Sequence, residues 1–368
     1  MLTTLSSRPA WRQLLTMAIA LPALVGLAVL VFAWPAARTE PRQLPIGMIG
    51  ASGATEHAVS TIEANEPGAF DLRIYGTTSS AREAIEDREV YGAIDISGPQ
   101  VTVYTASAAS PSVSSLLASL GDELQSHLAQ ASGQSTSAAA SPATAQTVDV
   151  VATDGSDPRG SVLTSALLPL TICSVIIAAA IALALEFGPA WRMIGAVTTV
   201  AAVAGLAAYL VAQTWLGALP GNGLETWASL SLLILAMSAT TAGLIALIGS
   251  PGLGLGALVM VFIGNPFAGA TSAPELLPDF ADRVGQWLPP GAGANLIRSA
   301  TYFDGHDAQA HVAILLAWTL FGCLAIVSGH HTFIGFAAKR RTARHAAEEQ
   351  ADSYQPSQPS ASQLAAAL

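Results

Sequence analysis

VLTSALLPLTICSVIIAAAIALAL, residues 162–185, is the first of four apolar stretches that follow one another in the middle of the chain. The others are residues 193–215, 227–248 and 253–269, of which the last is shorter and interrupted by glycine. A helix that spans a membrane needs about 20 mostly apolar residues, and a soluble fold cannot bury several helices that have no polar face. Residues 161–270 therefore predict four membrane helices of a polytopic α-helical membrane protein.

The composition excludes two classes of protein. The net charge is −10, an acidic balance that argues against nucleic-acid binding. Lys339 is the only lysine, and no glycine-rich loop precedes it. Because a phosphate-binding loop places a lysine directly after its glycines, we predict no ATPase site and no cofactor in this chain. Cys173 and Cys323 lie inside apolar runs and are interpreted as small packing residues.

Residues 14–34 form another apolar stretch, and residues 1–13 before it contain Arg8 and Arg12. A secretory signal peptide also has a basic start, but its apolar core is about 7–15 residues long and ends at a cleavage site of small residues. Here the core is longer, and the sequence around Trp34 is a poor cleavage site. We therefore predict an uncleaved first helix, whose basic start places residues 1–13 in the cytoplasm.

Residues 38–129 are polar and acidic and contain no long apolar run. Alternating apolar residues predict strands at 45–50, 70–75, 91–96 and 100–104. Helical spacing predicts helices at 57–65, 80–90 and 112–128, the second capped by Ser80. Together they predict a small α/β domain inserted between the first and second membrane helices. Residues 130–160, which are rich in Ala, Ser and Thr, are interpreted as a flexible linker.

A last apolar stretch, residues 310–337, is followed at once by Lys339 and three arginines. Positive charges at a helix end favour the cytoplasmic side of the membrane. With both ends of the chain in the cytoplasm the number of crossings must be even, and the apolar stretches predict six transmembrane helices. The α/β domain is then extracytoplasmic, and residues 338–368 form a basic, then disordered cytoplasmic tail.

Residues 271–309, before the last helix, are too apolar for an ordinary loop. They predict two short helices at 279–288 and 296–303, the first capped by Asp279, with a Pro-Pro-Gly turn between them. Helices of about ten residues cannot span a membrane, so the segment lies at the outer interface or enters the membrane and returns. Irregular backbone at membrane depth is tolerated only when it is buried in protein or lines a wet cavity. The segment is therefore either the mouth of a pathway or a lid with a packing role alone.

Several side chains in this region are candidates for that pathway. Trp287, Tyr302 and Phe303 are aromatic residues of the kind that concentrate at the level of the lipid headgroups. Arg298 is the one charge in the second short helix, and we predict that it reaches water or pairs with Asp304 or Asp307. The full set of pathway candidates is Gly264, Asn265, Pro266, Trp287, Pro289, Pro290, Gly291, Asn295, Arg298 and Phe303.

The sequence contains no recognisable catalytic or metal-binding set. His330 and His331 are adjacent, and adjacent residues of a helix point in different directions, so they do not form a ligand pair. Glu186 and Glu225, the carboxylates of the apolar block, lie at helix ends. A proton-coupled carrier usually has an ionisable group inside the membrane, so their position argues against that class. We therefore predict that the chain is not an enzyme and holds no metal.

Three places in the chain resemble the membrane subunits of ABC-2 type exporters, and most closely the YhgE/Pip branch and its actinobacterial relatives. They are LPIGM at residues 44–48, AIEDREVYGAIDI at residues 84–96, and GNPFAG at residues 264–269 followed by LPPGAGAN at residues 288–295 and YFDG at residues 302–305. The third is the most specific, and the resemblance covers roughly residues 10–338.

The resemblance implies a permease in the cell membrane that dimerises with a second copy or a paralogue and is driven by a separate cytoplasmic ATPase subunit. Such a permease moves a hydrophobic or amphipathic substrate out of the cell. The resemblance further implies that the turn between the second and third helices contacts the ATPase; here this turn contains Glu186, Phe187 and Arg192. The alternative interpretation is a membrane receptor or assembly scaffold that displays the α/β domain without transporting a substrate.

Overall fold

The computed structural model describes residues 10–98, 100–131, 144–185 and 188–329 of the 368-residue chain. Four predicted features lie partly or wholly outside the described residues: the cytoplasmic N-terminus, the linker, the turn residues Glu186 and Phe187, and the end of the last helix with its tail. The described part is mostly helical and contains a small sheet.

The helices are α1 (Ala10–Ala36), α2 (Ser52–Asn65), α3 (Thr78–Glu86), α4 (Pro111–Ala131), α5 (Ser161–Ala184), α6 (Ala190–Tyr209), α7 (Gly223–Ile248), α8 (Ser250–Ala257), α9 (Asp279–Trp287), α10 (Pro289–Tyr302) and α11 (Ala308–Gly329). π-Helical segments extend α6 over Leu210–Trp215 and α8 over Leu258–Ile263. The strands are β1 (Leu44–Ile49), β2 (Phe70–Tyr75), β3 (Gly92–Asp95), β4 (Thr102–Thr105) and β5 (Gln146–Asp149).

Five of the described helices are long and apolar enough to cross a membrane: α1, α5, α6 with its π-helical extension, α7 and α11. They make the chain a multi-pass membrane protein. The fourth apolar stretch of the central block folds as the shorter helix Ser250–Ile263, because the chain turns at residues 264–267. At 1.5 Å per residue this helix is about 21 Å long, against about 30 Å for the hydrocarbon core of a bilayer. Six crossings therefore stay a prediction.

The sheet has the strand order β2-β1-β3-β4-β5. β1 is parallel to β2 and β3, β4 is antiparallel to β3, and β5 is parallel to β4. With α2, α3 and α4 it forms the sheet domain, residues 44–149. A strand occurs at each of the four predicted places, but β5 lies where the sequence predicts a linker. That part of the linker prediction is wrong, because a short and mostly exposed edge strand has no apolar face to give a recognisable pattern.

The helices of the sheet domain begin earlier than the sequence predicts. α2 starts at Ser52 rather than at residue 57. α3 starts at Thr78, and its N-cap is Thr77 rather than Ser80. The Thr77 hydroxyl accepts a hydrogen bond from the Ser80 backbone N–H at 3.2 Å, which is the usual N-cap contact, so Thr77 takes the role predicted for Ser80.

Both apolar faces of the sheet continue into the segment before α11. One face, with Leu44 of β1, packs against α2 and α4 and is continuous with Leu276. The other face packs against Ile85 of α3 and is continuous with Phe303. The sheet domain therefore shares its core with residues 273–303 and is seated on them.

α7 is the central helix of the membrane block, and a larger share of it is buried than of the other described spans. Small residues allow a close contact between α7 and α11. A Cβ atom at Gly243 would lie 2.6 Å from the Gly322 carbonyl oxygen, and a Cβ atom at Gly322 would lie 2.4 Å from the Ala239 carbonyl carbon. Such close backbone packing is a usual means of helix association in a membrane, where no hydrophobic drive acts between helices.

Replacement of Gly322 by leucine is expected to force α7 and α11 apart and to lower the free energy of unfolding by about 1–3 kcal/mol. Gly195→Leu in α6 is the matched control, because a Cβ atom at Gly195 meets no atom within 4 Å. Thermal unfolding of the two full-length variants in detergent, followed by tryptophan fluorescence, measures the difference. Equal transition temperatures would show that this contact does not hold the helices together.

Candidate functional site

The predicted pathway segment folds around α10. The sequence predicts a Pro-Pro-Gly turn at residues 289–291, but Pro289 and Pro290 occupy the first positions of α10, and Leu288 alone separates α9 from α10. Proline is tolerated at these positions because the first N–H groups of a helix have no partner within it. The predicted turn is therefore wrong, and the second short helix begins at Pro289 rather than at residue 296.

α10 is buried along nearly its whole length, between α5 and α7 on one side and the sheet domain on the other. Glycines at the predicted pathway positions make the close contacts possible. A Cβ atom at Gly291 would lie 2.2 Å from the Gly285 carbonyl oxygen, and one at Gly264 would lie 2.6 Å from Pro290 Cγ. In the structure these residues bring α8, α9 and α10 together.

Arg298 lies inside this enclosed helix and is only 5% exposed. Its Nη1 donates to the Asn295 side-chain oxygen at 3.2 Å, and its Nη2 donates to the Ala270 carbonyl oxygen at 3.2 Å. Among the described residues it forms no ion pair. The predictions that it reaches water or pairs with Asp304 or Asp307 are therefore wrong, because its side chain is buried and its protein partners are neutral oxygens. Burial lowers the pKa of Arg298 to about 10, which still leaves it charged at neutral pH.

A second arginine, Arg88 of the sheet domain, is inserted against the same helix. Its guanidinium donates to the Asn295 backbone oxygen at 3.3 Å, to the Asn295 side-chain oxygen at 3.2 Å and to the Ser299 hydroxyl. It also lies 3.8 Å from a carboxylate oxygen of Asp307 and 5.3 Å from the centre of the Phe303 ring. We call these contacts the Arg88 clasp, and they join the sheet domain to α10.

Sequence reasoning missed Arg88. It stands in the charged run EDRE, residues 86–89, which is typical of a solvated turn. In the structure it adopts a left-handed backbone conformation, φ 61°, just after α3, and its side chain is 9% exposed. That conformation costs a non-glycine residue about 1 kcal/mol. Arg88 pairs with Asp307, which the sequence predicts as a partner of Arg298. The pair joins distant parts of the chain, so only the tertiary structure reveals it.

Beside the Arg88 clasp lies a polar cavity of about 190 Å³ between the sheet domain and the segment from α9 to α11. The Tyr91 hydroxyl donates to a Glu275 carboxylate oxygen at 2.8 Å, and burial raises the pKa of Tyr91 well above its usual value. Burial, reinforced by the neighbouring Glu275, raises the pKa of Asp282 to about 6. The cavity therefore contains a carboxyl group that gains or loses its proton near neutral pH. Within the described ranges no group of His, Cys, Asp and Glu is placed to hold a metal ion.

The three aromatic residues predicted at the headgroup level have different environments. Trp287, at the end of α9, is 71% exposed, and its carbonyl oxygen accepts from Trp318 Nε1 at 2.8 Å. Tyr302 is half-buried and donates its hydroxyl hydrogen to the Ala218 carbonyl oxygen at 2.9 Å. Phe303 is 3% exposed in the core of the sheet domain. The sheet domain covers this side chain, so it does not face lipid, and its level at the headgroups stays a prediction.

Asn265 and Pro266 stand at the turn where the π-helical extension of α8 ends. The Asn265 side-chain oxygen accepts from the Thr171 hydroxyl of α5 at 3.3 Å, and its side-chain nitrogen reaches back to carbonyl oxygens of the π-helical segment. Both residues line a groove between α1 and α5. The structure thus divides the predicted pathway residues between the buried α10 site and this groove.

Arg192 is the one residue singled out in the predicted ATPase-contacting turn that lies within the described ranges. It is exposed in the first turn of α6, and its guanidinium carbon lies 5.3 Å from the centre of the Trp191 ring. An apolar cavity of about 320 Å³ adjoins this end of α6 and is lined by residues of α5, α6, α7, α8 and α11. Arg192 and the cavity lie at the end of the membrane block opposite the sheet domain.

Comparisons of the chain with protein-family models, with curated proteins and with solved structures found no match. The fold and the site define the class of protein in structural terms. It is a multi-pass membrane protein whose sheet domain is seated on a buried helix that does not span the membrane.

Replacement of Arg88 by alanine is expected to lower the free energy of unfolding by about 2–4 kcal/mol, because Asp307 and the oxygens of Asn295 lose a buried donor. Arg73→Ala is the matched control, since Arg73 is an exposed arginine whose ion pair with Asp71 lies on one strand and contributes about 0–1 kcal/mol. Thermal unfolding of both detergent-solubilised variants measures the difference. If both unfold at the same temperature, the Arg88 clasp does not secure the sheet domain.

The raised pKa of Asp282 makes stability depend on pH. An aspartate of an unfolded chain has a pKa of about 3.9, so the folded protein binds more protons between about pH 4 and pH 6 and loses stability as the pH rises through that range. Asp282→Asn is expected to stabilise the protein by about 1 kcal/mol at pH 7.5, after allowance for solvent screening of a half-buried group. It is expected to change nothing at pH 4.

Asp304→Asn is the control for this pH dependence. Asp304 is exposed, and its φ of 48° suits asparagine as well as aspartate. Unfolding temperatures of both variants at the two pH values test the expectation. A stabilisation by Asp282→Asn that is as large at pH 4 as at pH 7.5 would contradict a role of its charge.

Proposed function

We propose that this chain is the membrane-spanning subunit of an ABC-2 type exporter. In this proposal it dimerises with a second copy or a paralogue in the cell membrane, is driven by a separate cytoplasmic ATPase subunit, and moves a hydrophobic or amphipathic substrate out of the cell. The resemblance in residues 264–305 suggests this class, and the geometry of the same residues supports it.

The observation that carries the proposal is the enclosed helix α10. It brings the buried Arg298 and the polar cavity beside the Arg88 clasp to the sheet side of the membrane block. A buried charge at membrane level is costly, and it is kept chiefly where ions or polar substrates bind or pass. Two arginines against one short helix are therefore better explained by a binding or transport site than by packing alone.

The proposal includes six crossings, of which α8 with its π-helical extension and the turn after it is the fifth. Both ends of the chain are then cytoplasmic and the sheet domain is extracytoplasmic. The order of the described helices supports this topology, because α1 ends and α5 begins at the sheet domain, whereas the turn before α6 lies at the opposite end of the block.

The energy source in this proposal is a separate subunit, since the sequence contains no phosphate-binding loop of its own. Its proposed contact is the turn that contains Glu186, Phe187 and Arg192. The exposure of Arg192 and the apolar cavity next to it support this assignment, because together they offer a charge and an apolar surface at one end of the block.

One observation favours the alternative, a membrane receptor or assembly scaffold that displays the sheet domain. In the middle of α7, Ser238 donates to the Ile234 carbonyl oxygen at 2.6 Å and Thr241 donates to the Met237 carbonyl oxygen at 2.9 Å, both within the same helix. Thr240 donates to the Trp318 carbonyl oxygen of α11 at 3.1 Å. These three hydroxyl hydrogens are therefore already engaged and are not free to donate to a passing solute. The two candidate functions differ in whether an ATPase binds.

Purification of the tagged full-length protein from its native membrane in mild detergent, with identification of the co-purifying proteins by mass spectrometry, tests the proposal. We expect a P-loop ATPase in a near-stoichiometric amount. Recovery of the chain without an ATPase, or with extracytoplasmic proteins alone, would overturn the exporter assignment and favour the receptor or scaffold.

The double variant Glu186→Ala/Arg192→Ala is expected to lower the recovery of the ATPase by at least about fivefold, the effect of losing about 1 kcal/mol of binding free energy. Arg82→Ala/Glu83→Ala is the matched control, because it removes an equivalent pair of charges from the exposed side of α3. Equal recovery with the two double variants would exclude the turn as the contact.

A further inference from the structure

The groove between α1 and α5 adjoins a basic pocket, and side by side the two cavities have the form of a site for an amphipathic ligand. The groove has a volume of about 460 Å³ and includes Phe32, Leu167 and Leu277 among its apolar walls. The pocket has a volume of about 120 Å³ and is lined by Arg159, Arg298 and several hydroxyl groups.

The two cavities adjoin each other, because Thr164, Ala270 and Thr271 line both of them. The positions of two lining residues along the chain show how the site is oriented relative to the membrane. Arg159 precedes α5 and lines only the pocket, whereas Leu168 lies about two turns into α5 and lines only the groove. The polar part therefore lies at the sheet-side end of the membrane block, and the apolar part lies deeper in the membrane.

The groove opens towards the bilayer. The apolar span of α1 is not buried against the rest of the described chain, and Phe32 on its groove side is 39% exposed. Leu168 on the opposite wall is 40% exposed. Both walls belong to helices that are apolar enough to span a membrane, so the medium beyond these side chains is lipid hydrocarbon. A ligand reaches the groove sideways from the membrane.

Arg298 supplies the charge that selects the ligand. It is almost completely buried, forms no ion pair within the described ranges, and donates to only two protein oxygens, one of Asn295 and one of Ala270. A guanidinium has five N–H donors, so donors remain for another acceptor. Arg88, on the far side of Asn295, lies 3.8 Å from the Asp307 carboxylate and lines the other cavity, so its charge already has a partner. An anion in the pocket would offset the cost of burying Arg298.

We propose that the groove and the basic pocket bind one anionic phospholipid from the sheet-side leaflet, with its phosphate at Arg298 and Arg159 and an acyl chain along the groove. Arginine suits a phosphate because its planar fork donates two parallel hydrogen bonds. The hydroxyls of Thr164 and Thr271 lie where the lipid headgroup would join the acyl chain. A zwitterionic lipid also carries an ammonium group, which the arginines repel. The inference rests on the cavities and does not require the chain to be an exporter.

Native mass spectrometry of the full-length protein in a neutral detergent tests the site. The probes are a short-chain phosphatidylglycerol, which is anionic, and a phosphatidylcholine of the same chain length, which is zwitterionic. We expect one phosphatidylglycerol to be retained per chain, with a Kd at least about tenfold below that of phosphatidylcholine. Equal retention of the two lipids would overturn the proposal.

Two variants locate the bound lipid. Thr164→Phe adds bulk at a residue that lines both the groove and the pocket, and Arg159→Gln removes one charge. Each is expected to weaken phosphatidylglycerol binding about tenfold. Ile176→Phe is the size control, because Ile176 is a lipid-facing residue of α5, 59% exposed, outside the groove. Arg82→Gln on α3 is the charge control. Undiminished binding by Thr164→Phe would overturn the proposal, and the test leaves the buried Arg298 in place.

Competition with glycerol 3-phosphate separates a lipid from a free phosphate, since it carries the same phosphate without acyl chains. We expect it to displace phosphatidylglycerol only at concentrations at least about tenfold above those of the lipid. Displacement at equal concentration would show that the pocket takes a free phosphate, which also overturns the proposal. Neither result depends on the recovery of an ATPase, so the failure of one proposal is distinguishable from the failure of the other.

Discussion

Two arginines share one acceptor, the side-chain oxygen of Asn295, and this shared contact fixes the sheet domain on α10. Arg298 reaches this oxygen from within α10, and Arg88 reaches it from the sheet domain. Removing such a charge from water costs several kcal/mol unless hydrogen bonds replace its hydration. The acceptors lie on α10 and on the turn at Ala270. If the sheet domain separated from the membrane block, an arginine would therefore lose its acceptors or become exposed. The two parts therefore behave as one structural unit.

The same helix lies between two cavities that differ in charge. On one side of α10 lies the cavity with three carboxylates, Glu275, Asp282 and Asp307, and with Arg88; on the other side lies the basic pocket that Arg298 lines. Small residues make this arrangement possible, because they let α10 approach α7, α8 and α9 closely enough to exclude bulk water. The low dielectric that results is what raises the pKa of Asp282 and makes a single anion in the pocket energetically important.

The elements that could be predicted from the sequence are those whose signal is local. The apolar stretches of α5, α6 and α7 and the alternating runs of β1 to β4 each carry their own periodicity. The site could be predicted only as a region, because its details depend on contacts between distant segments. Pro289 and Pro290 resemble a turn when read alone, yet they begin a helix once Leu288 supplies an extended residue before them. The partner of Arg298 depends on which segment covers α10, and Arg88 has no local signal because its partner Asn295 lies 207 residues away.

That separation of 207 residues also has a consequence for the synthesis of the protein. Ribosomes add roughly 5–20 residues per second, so Arg88 is synthesised roughly 10–40 s before Asn295. During this interval the newly made sheet domain has an uncovered apolar base, where Leu276 and Phe303 will later pack. Its Arg88 also lacks the acceptors of Asn295. Chains with transiently exposed apolar surface aggregate readily. Until the second half of the chain has been made, this apolar base is therefore open to contacts with neighbouring nascent copies.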